Sequence, residues 1–447
     1  MIKIKQLSIL LLSMIMLGVC SCKKETVDVT DLLKTVPSSA AGVVVINVAG
    51  LAEDSGCQIK DHVIIPSEEV KAFLSKSGES VEEDLGVLFD GSTGIEPTAA
   101  VLFYDSNRAF LTVALYDEEK FCKFVEEKSE GTFSEVTSGV KVCGNVAVKG
   151  VQAWLCLTSG KSIDADAIAS YASLASSQSF LVTPMGEKLL TEENDVRGWG
   201  VINTFLDNML GSRNKNVATL GIGFLFQEAE SVEFKMDFKK GEVEAEMMVL
   251  NDEGKPAKYL LPADKVDTKA LANLGTTCDA MMAFTVTPKL IKKFDQVGSA
   301  LGGALFGDLG EMFKNIDGTV GIIGGGSGMG ETLKGFITTK GEVSKTMKDM
   351  ISQNVGSVSQ DGKYLMFSKG DVKGDLSVAE CADELKGCCM GIIYGSGSDA
   401  LGDMPTSVKG FKSFMMKLEP EDGGLEWKFE AKTGDPKQNA LLVIMQQ

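Results

Sequence analysis

The sequence predicts an α+β protein made of two tandem repeated domains, each a mainly antiparallel sheet with flanking helices. Three observations carry this. Strand-length segments alternate apolar and polar residues, as in Val232-Glu233-Phe234-Lys235-Met236-Asp237-Phe238, and a period of two puts one face of such a segment on a core. Other segments carry apolar residues at helical spacing, such as Phe121, Phe124 and Val125. Finally, three stretches recur in the same order. Val36 to Val48 aligns with Leu274 to Val286, Val146 to Trp154 with Val358 to Met366, and Val232 to Gly241 with Leu425 to Gly434. A common order argues for duplication rather than chance likeness between amphipathic strands.

The chain opens with an export pattern. Lys3 and Lys5 precede an apolar run, Leu7 to Val19, that is too short for the ~20 residues of a membrane-spanning helix. Residues 1–21 read as a lipoprotein signal peptide, with Cys22 as the lipid-attachment residue. Ser21 is the small residue before the cut, and Val19 is the branched residue at the third position before it. Residues 22–30 then form a polar tether. About 425 residues remain, too many for one core.

The first repeat domain spans 31–250. Val36-Pro37-Ser38-Ser39-Ala40-Ala41-Gly42 turns into a buried strand, Val43 to Val48. Ser67 caps a helix to Ser75 with Val70, Phe73 and Leu74 on one face. Ala99 to Tyr104 and Phe110 to Tyr116 are strands around Asp105-Ser106-Asn107-Arg108, and a helix begins at Asp117. Asn251 to Asp264 is a turn-rich linker, and 265–447 is the second repeat domain.

Charge limits the partners. The chain has 44 Lys+Arg against 62 Asp+Glu, a net of -18; losing Lys3 and Lys5 with the signal leaves 42 against 62, or -20. So acidic a surface repels phosphate backbones, which excludes nucleic acid as a partner and leaves membrane attachment to the covalent lipid. Protein and glycan partners both stay open, with exposed Trp or Tyr at a cleft marking glycan.

Of ten cysteines, Cys20 leaves with the signal and Cys22 carries lipid, so eight remain, too dilute for a disulfide scaffold. One pair stands out. With Lys149-Gly150 as a two-residue hairpin loop, Val148 pairs with Val151 and Cys143 falls opposite Cys156, a position whose geometry admits a disulfide. Asp361-Gly362 in the second copy matches that loop.

No motif specifies catalysis, a cofactor or a metal. His62 is the single histidine, which excludes multi-histidine metal sites, and it reads as a loop residue. The glycines of Gly321 to Gly330 lack dinucleotide-loop spacing, and Gly160-Lys161-Ser162 has Leu155 where a phosphate loop needs its first glycine. Ser138-Gly139-Val140-Lys141, Ser212-Arg213-Asn214 and Lys432-Thr433-Gly434 stand in the order of a penicillin-binding serine acyl-transferase, but Ser138 sits in a turn rather than one helical turn before its lysine. Glu242, Glu244 and Glu246 share one strand face and read as solvated. Met281-Met282 and Met415-Met416 read as strand core.

The signal ending Ser21-Cys22-Lys23-Lys24, followed by Val36-Pro37-Ser38-Ser39-Ala40, a hydrophobic strand and Gly50-Leu51-Ala52-Glu53-Asp54-Ser55-Gly56, resembles the start of an uncharacterised lipoprotein family of the Bacteroidota, of the domain of unknown function 4836 type. The likeness covers about 60 residues. It implies an outer-membrane location, facing the periplasm or the outside, and a cysteine carrying more than one acyl chain such as palmitate. It assigns no catalytic residue.

The expectation is therefore a lipid-anchored cell-envelope protein without catalytic activity, serving in binding or assembly. Two alternatives are an envelope serine hydrolase using Ser138 and Lys141, and a fimbrial-type subunit whose last strand, Ala440 to Met445, exchanges between copies.

Overall fold

The computed structural model describes residues 29–76, 91–105, 107–129, 131–158, 163–204, 225–260, 263–292, 315–326, 331–395, 410–437 and 439–445. It is an α+β structure dominated by antiparallel sheet, with a minority of helices. The chain divides into two compact units: Met1–Lys215, Glu230–Val243 and Pro436–Gln446 make unit 1, and Asn216–Ala229, Glu244–Asp435 and Gln447 make unit 2. Among the described residues no helix is long and apolar enough to cross a membrane, a finding that does not bear on membrane-crossing strands.

Unit 1 runs α1 (Val29–Lys34), β1 (Gly42–Ile46), α2 (Val48–Asp54), β2 (Gln58–Lys60), β3 (Val63–Ile65), α3 (Glu68–Lys76), β4 (Ile95–Asp105), β5 (Arg108–Leu115) and α4 (Glu118–Ser129). It continues with β6 (Ser134–Thr137), β7 (Val140–Cys143), β8 (Val146–Lys149), β9 (Gln152–Cys156), α5 (Ala165–Tyr171), α6 (Pro184–Thr191), β10 (Val196–Val201) and β11 (Ser231–Lys239). Its sheet has the order β6-β7-β8-β9-β5-β4-β1-β10-β11, every pair antiparallel. Strand β1 is central, as its Val-Val-Val-Ile run requires of a strand covered on both faces.

The predicted stripe of α4 covers one face. Phe121, Phe124 and Val125 are buried against Leu111, Val113, Val146 and Leu155, each contributing about 2 kcal/mol of apolar burial. On the other face Tyr171 meets Phe103 and Phe110 edge-on, at 5.6 and 5.7 Å. The cap predicted at Ser67 is present, its Oγ accepting the Val70 N–H at 3.2 Å.

Residues Ala440–Met445 are a helix, which corrects the expectation of a C-terminal strand free to exchange. Asn439 starts it, its Oδ1 accepting the Leu441 N–H at 2.7 Å. Its Nδ2 donates to the Phe238 carbonyl at 2.7 Å. Leu441 is buried with Ile46 and Leu51. A short apolar run fits strand or helix equally by pattern, and here packing decides.

Unit 2 contains β12 (Glu242–Leu250), α7 (Thr268–Ala272), β13 (Ala280–Val286), β14 (Ile316–Gly325), β15 (Thr332–Thr339), α8 (Lys345–Val355), β16 (Ser357–Asp361) and β17 (Tyr364–Lys369). Helix α9 (Val378–Glu384) and strands β18 (Met390–Gly395), β19 (Phe411–Glu421) and β20 (Gly424–Thr433) follow. The order is β16-β17-β15-β14-β13-β18-β19-β20, again antiparallel, with β12 beside β20. Helices α7 and α9 cover a core of Leu271, Leu274, Met281, Ile323, Phe336 and Met415. Helix α8 packs on the other face through Met347 and Ile351. The stretch read as a linker is built into this unit: the Ala257 N–H donates to Val249 at 2.8 Å, and Lys258–Tyr259 pairs with Phe226–Gln227.

Candidate functional site

Several residues singled out by sequence fall into plain structural roles. Cys22 and Ser212-Arg213-Asn214 lie outside the described residues. Cys143 and Cys156 are both buried free thiols, so the expected bridge is not formed. The hairpin turns through Gly150-Val151, with Lys149 opposite Gln152 and Val148 opposite Ala153. The chain turns again after Cys143, which pairs with Val146. The two cysteines therefore sit on β7 and β9, with β8 between them.

Ser138 has a left-handed φ of 48° in the β6–β7 turn, while the Lys141 amine donates to Glu118 at 2.6 Å. That contact holds the ammonium above its ordinary pKa, the reverse of what a general base needs. Gly321 to Gly325 lie within β14. A Cβ on Gly321 would stand 2.4 Å from Leu271 and 2.7 Å from Phe336, so this glycine makes room for core side chains. Met281 and Met415 are core residues, whereas Met416 is exposed.

His62 is better placed than a loop reading suggests. Asp61 and His62 form the two-residue turn of the β2–β3 hairpin, with φ of 51° and 66°, as a turn with two left-handed central residues requires. The turn holds the imidazole flat against Tyr116, with ring centroids 4.7 Å apart. Nδ1 lies 2.5 Å from Oε2 of the buried Glu96. Tyr116 in turn donates to the Gly91 carbonyl at 2.5 Å, and Lys120 sits over its ring at 5.2 Å. These contacts orient the histidine, and they join it to a carboxylate and an aromatic ring rather than to a hydroxyl or thiol nucleophile. Glu96 and Tyr116 are remote in sequence, and no spacing motif links them to His62.

A second cluster joins Asp54 at the end of α2 to Asp195 and Asp237. Asp195 accepts the Phe238 N–H at 2.7 Å, and its own N–H donates to Asp237 at 3.2 Å. Asn194 donates to the other Asp237 oxygen at 2.7 Å. Burial, followed by the Asp195 charge and hydrogen bond, raises the Asp54 carboxyl to about 7. Asp195 is also raised, chiefly by burial. The pair thus favours holding one proton between its two carboxyls near neutrality.

The most extensive feature suited to recognition lies on β19 and β20. Phe414, Met416 and Leu418 stand opposite Ala431, Phe429 and Trp427, and continue onto Tyr394, Ile392 and Met390 of β18. Phe429 is 41% exposed and Met416 36%, high for large apolar side chains on a sheet. The alternate residues carry paired charge. Lys428 bridges Glu419 and Glu426, both at 3.0 Å, and Lys432 bridges Glu384 at 2.9 Å and Glu430 at 2.7 Å. The period-two pattern was legible in sequence. That its apolar face stays partly open was not, because exposure depends on what packs above the sheet.

No protein-family profile matches the chain, and no curated protein matches it. Solved structures do. Crystal form I of TP0453 aligns with 12% identity over 80% of this chain and 97% of that one, with a TM-score of 0.31. Crystal form III aligns with 10% identity over 78% and 96%, also with a TM-score of 0.31. Overlap that loose says nothing about a common function.

Proposed function

We propose that this protein is a bacterial envelope lipoprotein, anchored in the outer membrane through Cys22 and built from two copies of one α+β unit, that acts as a non-catalytic binding or assembly component. The observation that carries the binding role is the open apolar face of β18, β19 and β20, centred on Phe429 and Met416. The address rests on the signal pattern ending in Val19-Cys20-Ser21-Cys22 and on the resemblance to Bacteroidota lipoproteins.

Duplication is supported by strand order. In unit 1 the order β9-β5-β4-β1-β10-β11 follows the same chain sequence as β17-β15-β14-β13-β18-β19 in unit 2. A helix, α4 or α8, follows the second strand of each. Two of the sequence matches agree with this, laying β1 on β13 and β8–β9 on β16–β17. The match of Val232 to Gly241 with Leu425 to Gly434 is offset by one strand, since topology pairs β11 with β19. Amphipathic strands with similar charge patterns align well in either register.

A protein partner fits this face better than a glycan. Trp154 is buried, Trp199 and Trp427 are half-buried, and the tyrosines are buried or half-buried, so the exposed Trp or Tyr expected to mark a glycan site is lacking among the described residues. The test is a photoreactive phenylalanine analogue placed at Phe429, and separately at Glu430 on the opposite face, in cells making the full chain. Adducts from position 429 alone support the reading. Adducts from neither position, or equally from both, contradict it.

A further inference from the structure

The sheets of the two units end differently. In unit 1 the hairpin β8–β9 is bordered by β7, with Lys141 opposite Val148 and Cys143 opposite Val146, and β6 lies beyond it. On the two-copy reading the matching hairpin in unit 2 is β16–β17, and Val358 and Gln360 take the places of Val146 and Val148. Gly356 alone separates the end of α8 from the start of β16, so no strand pair like β6–β7 intervenes. Burial follows: Val146 and Val148 are 1% and 0% exposed, whereas Val358 and Gln360 are only partly buried. Among the described residues β16 pairs with β17 alone.

The register of β16 decides which backbone groups its outer side presents. Gly362 and Lys363 form the loop, so Asp361 and Tyr364 make a hydrogen-bonded pair, as do Ser359 and Met366. The N–H and C=O groups of Val358 and Gln360 therefore point away from β17, just as those of Val146 and Val148 face β7 in unit 1. Edge strands are ordinarily guarded by a bulge, a lysine or a proline. Strand β6 has a bulge between Glu135 and Thr137, while β16 keeps an unbroken register and contains neither lysine nor proline.

We propose that β16 is a pairing edge that takes β16 of a second copy of this chain, antiparallel, about a two-fold axis at Ser359. The strand is complementary to itself in that register. Ser359 meets Ser359, the outward backbone groups of Val358 in one copy meet those of Gln360 in the other, and Ser357 stands opposite Asp361, so no like charges face each other. Opposite residues share a sheet face, which sets the two α8 helices on one side. The apolar ledge of Met350, Val355 and Val358 beside the α8 core then continues across the junction. A two-fold pair occupies both β16 edges at once, so association stops at the dimer. The proposal uses neither the β18–β20 face nor the lipid anchor, and the two-copy reading enters only in naming what covers the matching edge in unit 1.

The test uses the full mature chain with Cys22→Ala, so that no thiol remains on the tether. Sedimentation over a range of concentrations is expected to show monomer and dimer in equilibrium and no larger species. Under mild oxidation Ser359→Cys should give a covalent dimer whose linked peptides both carry position 359. Ser357→Cys, which this register places about 14 Å from its own copy, should not link. Val358→Pro removes an outward N–H from each copy and should weaken the dimer by about tenfold or more while urea unfolding stays cooperative. A monomer at every concentration, assemblies larger than a dimer, or a dimer that does not link at position 359 or links equally at 357 would overturn the proposal, even where Val358→Pro fails to fold.

Discussion

The Asp195 carboxylate accepts the Phe238 N–H at 2.7 Å, and the Asp54 carboxyl beside it is raised by burial and by the Asp195 charge. The arrangement favours a proton held between two neighbouring carboxyls at the end of α2 and the edge of β11.

Stability should therefore fall as pH rises through neutrality. The folded Asp54 carboxyl is raised to about 7 from the ordinary 3.8, so the folded state binds a proton that the unfolded chain has released. That contribution is full below pH 4 and is lost as pH climbs through 7. Glu53 and Asp237 reinforce the effect, while Lys239 opposes it at Asp195. Asp54 is only partly buried, and solvent screening limits the change to about 1 kcal/mol. Urea melts between pH 5 and 8 should show the decline, and Asp54→Asn should flatten it. An unchanged slope in the variant would contradict the shared proton.

Removing His62 should leave the Glu96 carboxylate buried without its partner. The His62→Ala variant is expected to lose about 1–3 kcal/mol, and Glu96→Gln should recover part of that loss in the double variant. A double-mutant cycle in urea measures the coupling. Strictly additive losses would show that the 2.5 Å contact contributes nothing to the fold.

Ser138 should not react as a nucleophile. Its lysine neighbour in sequence, Lys141, is an ammonium held by Glu118, and a serine hydroxyl needs an amine that can accept its proton. A fluorescent β-lactam incubated with the full chain should leave no adduct on Ser138. A stoichiometric adduct lost in Ser138→Ala would revive the hydrolase reading.

What the sequence disclosed follows the range of the physics. The α4 stripe of Phe121, Phe124 and Val125, the Ser67 cap and the hairpin around Asp105 and Arg108 are local patterns, and the structure has all three. The β8–β9 register was misjudged by two residues because Gly150 takes the first loop position, with φ of 58°, rather than the second. Gly362 does the same between β16 and β17, with φ of 56° and Asp361 opposite Tyr364. A glycine at the first central position is a known hairpin turn of its own. The carboxyl pair and the His62 to Glu96 contact each join residues far apart in the chain. No periodicity encodes such contacts, and they emerge only when the sheet sets the register.

Everything proposed about where this protein works depends on Cys22. The direct measurement is metabolic labelling with an alkyne-tagged palmitate, comparing the native chain with Cys22→Ala and Cys20→Ala, followed by recovery of the protein from the membrane fraction. The native and Cys20→Ala proteins should carry label and sediment with the outer membrane, while Cys22→Ala should carry none. Label that persists in Cys22→Ala, or a native protein without label, would contradict the anchored-lipoprotein account.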